Sequence, residues 1–171
     1  MNYHKMAFPE AVNYLAERAG IAMPEQQRSP EQKQAADLLT RMRKANEQAV
    51  RFFRRQLADE PAGASAREYV ASRGISDEMA EAFCLGYAPD RWDALAEQVR
   101  NHRGDADAFV EAGLISRRND GSHFDRMRHR LIFPIVDSIG RAVAFGGRIL
   151  PGSILDDPTA DAKYLNIPET R

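Results

Sequence analysis

An α+β fold is predicted, with helices in the N-terminal half and a small antiparallel or mixed sheet in the C-terminal half. Two observations predict it. Apolar residues recur at helical spacing in successive segments up to Ala112, whereas beyond Gly113 the pattern becomes strand-like. Turn signals, Asn119-Asp120-Gly121 and Asp137-Ser138-Ile139-Gly140, punctuate that second part. Helices first and strands later is the order of an α+β domain.

The elements follow in order. Residues 7–20 read as a short amphipathic helix, with Phe8, Ala11, Val12, Leu15 and Ala19 on one stripe and Gly20 placed to end it. Residues 21–29 contain a proline and no periodicity, which marks a linker. Ser29-Pro30-Glu31-Gln32 is a helix start: serine at the N-cap, proline at the first helical position and Gln32 closing a capping box. The stripe Leu38, Leu39, Met42, Ala45, Ala49, Phe52, Phe53 and Leu57 carries that helix to Ala58, and Pro61 and Gly63 stop it. Its other face carries Lys33, Arg41, Arg43, Lys44, Arg51, Arg54 and Arg55, which serve either as a solvated surface or as a nucleic-acid contact.

Ser65 is expected to cap a helix ending at Gly74, and Ser76 another with Asp77 and Glu78 in its first turn. Helices are expected over 92–99 and 105–112, the second closed by Gly113. Strands are expected at Leu114-Ile115, 131–136 and 142–149.

The 171 residues suffice for one domain with a proper core. Apolar content of 43% and charged content of 29% are those of a folded chain rather than a disordered one. No apolar run is long enough to span a membrane and no signal pattern opens the chain, so a cytoplasmic location without a membrane partner is expected. The single cysteine, Cys84, excludes an internal disulfide and a cysteine-based zinc site, and it reads as a small buried hydrophobe. Net charge is −1, but between residues 117 and 148 seven arginines face three aspartates. A basic block in a near-neutral chain points to a phosphate-bearing partner at one face.

Three constellations could carry chemistry. In Asp125-Arg126-Met127-Arg128-His129-Arg130, an extended backbone would set Arg126, Arg128 and Arg130 on one face roughly 7 Å apart, matching successive phosphates; a charged edge strand is the alternative. Phe145-Gly146-Gly147-Arg148 follows a strand, and its glycines permit a sharp backbone turn or a close ligand approach, with Arg148 able to address phosphate. Lys163-Tyr164-Leu165-Asn166 offers charge, a stacking face and a hydrogen-bonding fork, or else a last edge strand. Asp156, Asp157 and Asp161 are better explained by turn formation than by a divalent ion, and the four histidines lack metal spacing.

The motifs DRMRHRLIFPI, GRAVAFGGRIL and KYLNIPET, in this order, resemble the N-terminal subdomain of the RNA polymerase core of bacterial DnaG-type DNA primases. YVASRGISDEMAEAFCLGYAPDRWDAL is similar to that family's helical segment, and residues 1–21 to the terminal helix of its zinc-binding domain. The resemblance implies a division into that helix (1–21), a linker (22–29) and the core subdomain (30–171). It implies that Arg73, Arg126, Arg128, Arg148, Lys163, Tyr164 and Asn166 line a groove for template or nucleotide, with Gly146 and Gly147 shaping the backbone turn.

The resemblance also implies RNA primer synthesis on single-stranded DNA from ribonucleoside triphosphates at the replication fork. Zn²⁺ would belong to a domain before Met1, and Mg²⁺ or Mn²⁺ to a TOPRIM fold beyond Arg171. A replicative helicase would bind a further C-terminal domain. The fragment itself is then expected to bind no metal and to be inactive alone. The insert PGSILDDPTAD between FGGR and KYLN departs from the family pattern. The rival readings are a stand-alone single-stranded nucleic-acid-binding module and an unrelated small α+β enzyme acting on a phosphorylated metabolite.

Overall fold

The computed structural model describes residues 29–59, 61–153 and 161–170, together with residues 15, 16, 19, 158 and 159. The chain divides into two compact units, Met1–Gln34 and Ala35–Arg171. In the first, the helix expected over 7–20 lies mostly outside the described residues, as does nearly all of the linker. The capping box is formed as expected: the Gln32 amide donates to Ser29 Oγ at 3.2 Å, and the Ser29 amide to Gln32 Oε1 at 3.0 Å.

From that cap α1 runs over Pro30–Ala58. It buries Ala45, Ala49, Phe52 and Phe53, four members of the expected stripe. It also buries Asn46, whose Nδ2 donates to the Ala142 carbonyl at 3.2 Å and to Thr170 Oγ1 at 2.9 Å. Gly63 cannot be replaced cheaply where the chain turns back, because a Cβ there would stand 2.4 Å from the Leu57 carbonyl oxygen.

Four short helices follow in the sequence positions expected. α2 is Ala64–Ser72, but Gly63 rather than Ser65 occupies its N-cap, and no side chain caps it. α3 is Asp77–Ala82, capped by Ser76 Oγ, which accepts from the Met79 amide at 3.2 Å. Cys84 stands just past α3 with φ of 51° and is only half buried, so it is a helix-ending residue rather than a core hydrophobe. Strand β1, Gly86–Ala88, comes next, then α4 over Ala94–Asn101 and α5 over Ala106–Glu111.

The remaining strands are β2 (Ile115–Arg117), β3 (His123–Asp125), β4 (Arg130–Val136), β5 (Ala142–Ile149) and β6 (Tyr164–Asn166). β2 and β3 form a hairpin around the Asn-Asp-Gly turn, with Gly121 at φ of 82°. The other four make one antiparallel sheet in the order β1-β4-β5-β6.

Register decides which residues share a face of the sheet. Gly86, Ile132, Gly147 and Leu165 lie in one row, and Tyr87, Leu131, Arg148 and Tyr164 in the next. The first face packs against α1, α4 and α5, where Phe53, Leu95, Phe109, Ile132 and Phe145 share a core. Phe53 meets Phe145 edge to face at 5.9 Å, and a Cβ on Gly86 would stand 2.5 Å from the Phe53 Cβ. Burying such rings contributes about 1.5–3 kcal/mol each. The second face packs against α2 through Ala66, Val70, Tyr87, Leu131 and Leu150. The sheet is therefore covered by helices on one face and partly covered on the other. That partial cover leaves the ends of β5 and β6 accessible beside α2.

Candidate nucleic-acid interface

On the second face, Arg148 is the centre of a cluster. Its Nε donates to the Tyr69 hydroxyl and its Nη1 to the Tyr164 hydroxyl. Its guanidinium carbon lies 5.1 Å from the centroid of the Tyr164 ring and 5.7 Å from that of Tyr69. Arg73, just past the end of α2, sits over the same Tyr69 ring at 5.0 Å. Two cations thus share one aromatic ring, four residues apart along the chain from its own side and across the sheet from the other. β-pairing of Arg148 with Tyr164 holds the second tyrosine in place. Tyr164 is 59% exposed and Arg73 is exposed, so this cationic, aromatic surface opens to solvent.

Asn166 pairs with Gly146 two rows along, on the same face as Tyr164, and is exposed. A Cβ on Gly146 would stand 3.4 Å from Asn166 Oδ1, in ordinary contact, so the glycine leaves the Asn166 amide room rather than preventing a collision. Lys163 is exposed immediately before β6, and its carbonyl accepts from the Ile149 amide at 3.1 Å.

The Gly146-Gly147 pair is not a turn. Both residues lie inside β5, paired on both sides, and neither has a positive φ. Gly147 is small for another reason: a Cβ there would stand 3.0 Å from both Arg130 Cδ and Met127 Sδ, which fill the space beneath the strand.

The expected ladder of Arg126, Arg128 and Arg130 is likewise not formed. Residues 126–129 are not a strand, and His129 has φ of 47°, so alternation is broken before Arg130 enters β4. Arg128 is 2% exposed; it turns back to donate to the Asp125 carbonyl and stacks on Trp92 at 4.5 Å. Arg130 is fully buried and donates to the carbonyls of Gly147 (3.2 Å), Ala162 (2.9 Å) and Thr159 (2.7 Å). It thereby anchors to the sheet the insert that departs from the family pattern. Arg126 alone is half exposed, its Nη1 3.4 Å from where a Cβ on Gly113 would stand.

The rest of the basic block is also largely engaged. Arg117 pairs with Asp107 at 2.5 Å, Arg141 with Asp137 at 2.8 Å, and Arg118 lies over the Phe124 ring. Asp125 itself caps α4 from a distance, accepting from the Leu95 amide at 2.8 Å and the Ala96 amide at 2.9 Å. Burial pushes its carboxyl up to about 7, against the pull of those two amides toward the ionised form.

Among the described residues no group of three or more His, Cys, Asp or Glu side chains could hold a metal ion. No helix among them is long and apolar enough to cross a membrane. The residue that inspection of the sequence missed is Tyr69. Its signal is present, since a tyrosine four residues before Arg73 shares its helical face.

A cationic, aromatic sheet face in an α+β domain is the class of surface that meets a polyanion, and comparison with known proteins gives the class a family. The chain belongs to the family of the DNA primase catalytic core, N-terminal domain, whose model matches residues 52–171. Within it the chain is homologous to bacterial DnaG primases. It is 38% identical to the DNA primase of Pseudomonas aeruginosa over 99% of its own length. It spans 25% of the length of that relative.

Among solved structures, a DnaG primase catalytic domain bound to single-stranded DNA superposes with a TM-score of 0.67 at 33% identity. That match covers 78% of this chain and 41% of the other. The Aquifex aeolicus primase, comprising zinc-binding and RNA polymerase domains, superposes with a TM-score of 0.62 at 29% identity. It covers 99% of this chain and 37% of its own.

Proposed function

We propose that the chain supplies the strand- and nucleotide-gripping surface of a DNA primase, the enzyme class that makes short RNA primers on single-stranded DNA. The observation that carries the reading is the arrangement of Arg73, Tyr69, Arg148 and Tyr164 on an open sheet face, with Asn166 two residues from Tyr164 on that same face. Arginine forks address phosphate oxygens, the exposed Tyr164 ring offers a base a stacking face, and the Asn166 amide can hydrogen-bond. Lys163 adds charge at the rim, and the half-exposed Arg126, beside Gly113, is a separate candidate contact. Arg128, which is buried on Trp92, has a supporting role in this reading.

In this reading the chain's residues hold and orient the strand and the nucleotide. The solved relative bound to single-stranded DNA supports the choice of ligand.

Binding of a single-stranded oligonucleotide followed across a salt titration tests the reading. Arg148→Ala should weaken affinity about tenfold and flatten the log–log salt slope by about 0.7, one phosphate contact's share. Arg126→Ala should act in the same direction by less. Immeasurable binding at low salt, or an Arg148→Ala protein indistinguishable from the parent, would sink it.

A further inference from the structure

α1 carries an arginine face that the surface described above does not use. Part of that face is neutralised. Arg41 makes two bonds to Asp105, at 2.6 and 2.8 Å, and Arg54 reaches Glu81 at 3.4 Å. Arg51 and Arg55 are exposed and have no carboxylate partner among the described residues. They border a cleft of about 850 Å³ between α1 and the C-terminal end of α4, with Arg54 beside them and Arg103 on the far wall. The one carboxylate lining it, Asp105, is already held by Arg41. Arg103 stands just past α4 with φ of 50°, a position where glycine is usual, and is exposed without an ion pair among the described residues.

We propose that this cleft is a second phosphate-binding site, which takes the backbone of single-stranded nucleic acid on the side of the sheet opposite Arg148. α1 packs on the Phe53–Phe145 face, whereas Arg148 and Tyr164 occupy the other. Along a helix Arg51 and Arg55 are about 6 Å apart in rise, close to the spacing of phosphates in an extended strand. The apolar side chains beneath, Leu95, Val99 and Phe109, are each 4% exposed or less, and the ring presented at the wall is the exposed His102. Charge dominates the cleft, and its guanidinium forks suit phosphate oxygens. The proposal rests on the reading that the chain meets single-stranded nucleic acid, but on different residues.

The test is anisotropy of a labelled oligothymidylate against salt, with the double variant Arg51→Ala/Arg55→Ala, with Arg148→Ala and with both combined. The double variant should bind about tenfold more weakly at low salt and lose about 1.4 from the salt slope, two phosphate contacts for a single strand. Its effect should add to that of Arg148→Ala. A charge-matched control, Arg117→Ala/Arg141→Ala, removes two arginines already paired to aspartates and should stay within twofold of the parent.

Equal losses in the double variant and the control would reduce the effect to net charge and overturn the site. Parental affinity and slope in the double variant would do the same, even where Arg148→Ala still weakens binding. Displacement of the oligonucleotide by polyglutamate, dependent on Arg51 and Arg55, would assign the cleft to an acidic protein segment instead.

Discussion

Two arginine-rich segments flank the same pair of strands and have opposite fates. In the segment 126–130, Arg128 and Arg130 turn inward and become 2% and 0% exposed. On the far side of β5, Arg148 reaches a surface where it meets two tyrosine hydroxyls and solvent. Burying a guanidinium costs least where its donors are satisfied, and Arg130 meets that condition at Nη1 and Nη2 with three backbone carbonyls, though not at its buried Nε. Arg148 is held by two tyrosines through Nε and Nη1, which leaves its Nη2 available. A guanidinium spent on carbonyls builds the domain, and one braced by tyrosines remains able to serve a ligand.

Arg130→Ala strikes the inward segment hardest. It orphans three carbonyls and opens a hole beneath Gly147, and a loss of about 3–5 kcal/mol is expected in denaturant unfolding. Arg128→Ala is milder, about 1–3 kcal/mol, because its ring contacts with Trp92 and Phe124 and its bond to the Asp125 carbonyl are lost without opening the sheet core. Trp92, the only tryptophan in the chain, should report it by a change in emission, while oligonucleotide affinity of the folded protein stays near parental.

Asp125 opens the same segment and gives a pH signature. Its native carboxyl titrates at about 7 and an unfolded one near 4. Between those values the native state holds a proton that the unfolded state has released, so stability should fall as pH rises from about 4 to about 7 and then level off. Asp125→Asn should flatten that slope in midpoints measured by chemical denaturation.

The smallest effect belongs to the outward cluster. Tyr69→Phe keeps the ring under Arg73 and removes the hydroxyl that steadies Arg148. Stability should move by less than about 0.5 kcal/mol and oligonucleotide affinity by about two- to threefold. A loss as large as that of Arg148→Ala would make Tyr69 itself a contact.

Legibility followed element length and the directness of the signal. The box at Ser29, the stripe of α1, the Ser76 cap and the two hairpin turns each rest on local chemistry within a few residues, and each formed. β1 and β3, three residues each, are too short to show a period. β6 is equally short, and the sequence presented it only as an alternative to a binding cluster. Gly146-Gly147 looked like a corner because glycine's freedom and glycine's smallness leave the same letters, and here it is smallness beside Arg130 and Met127 that counts. Arg128 and Arg130 looked like a phosphate ladder because alternation assumes unbroken extension, and His129 breaks it. Tyr69 was readable from its spacing to Arg73 but gains its meaning from Arg148, 79 positions away.

The buried amide of Asn46 has a consequence for the order in which this surface comes apart. Residues 163–170 follow β5 along its length, from the Lys163 carbonyl at Ile149 to the Thr170 amide at Val143. Asn46 grips that seam at one end only, through the start of β5 and Thr170. Without it, the seam would open from Thr170 first, and the backbone under Asn166 and then Tyr164 would follow like teeth of a zip. The proposed grip on a strand of nucleic acid would then be only as durable as a fastening on the other side of the sheet.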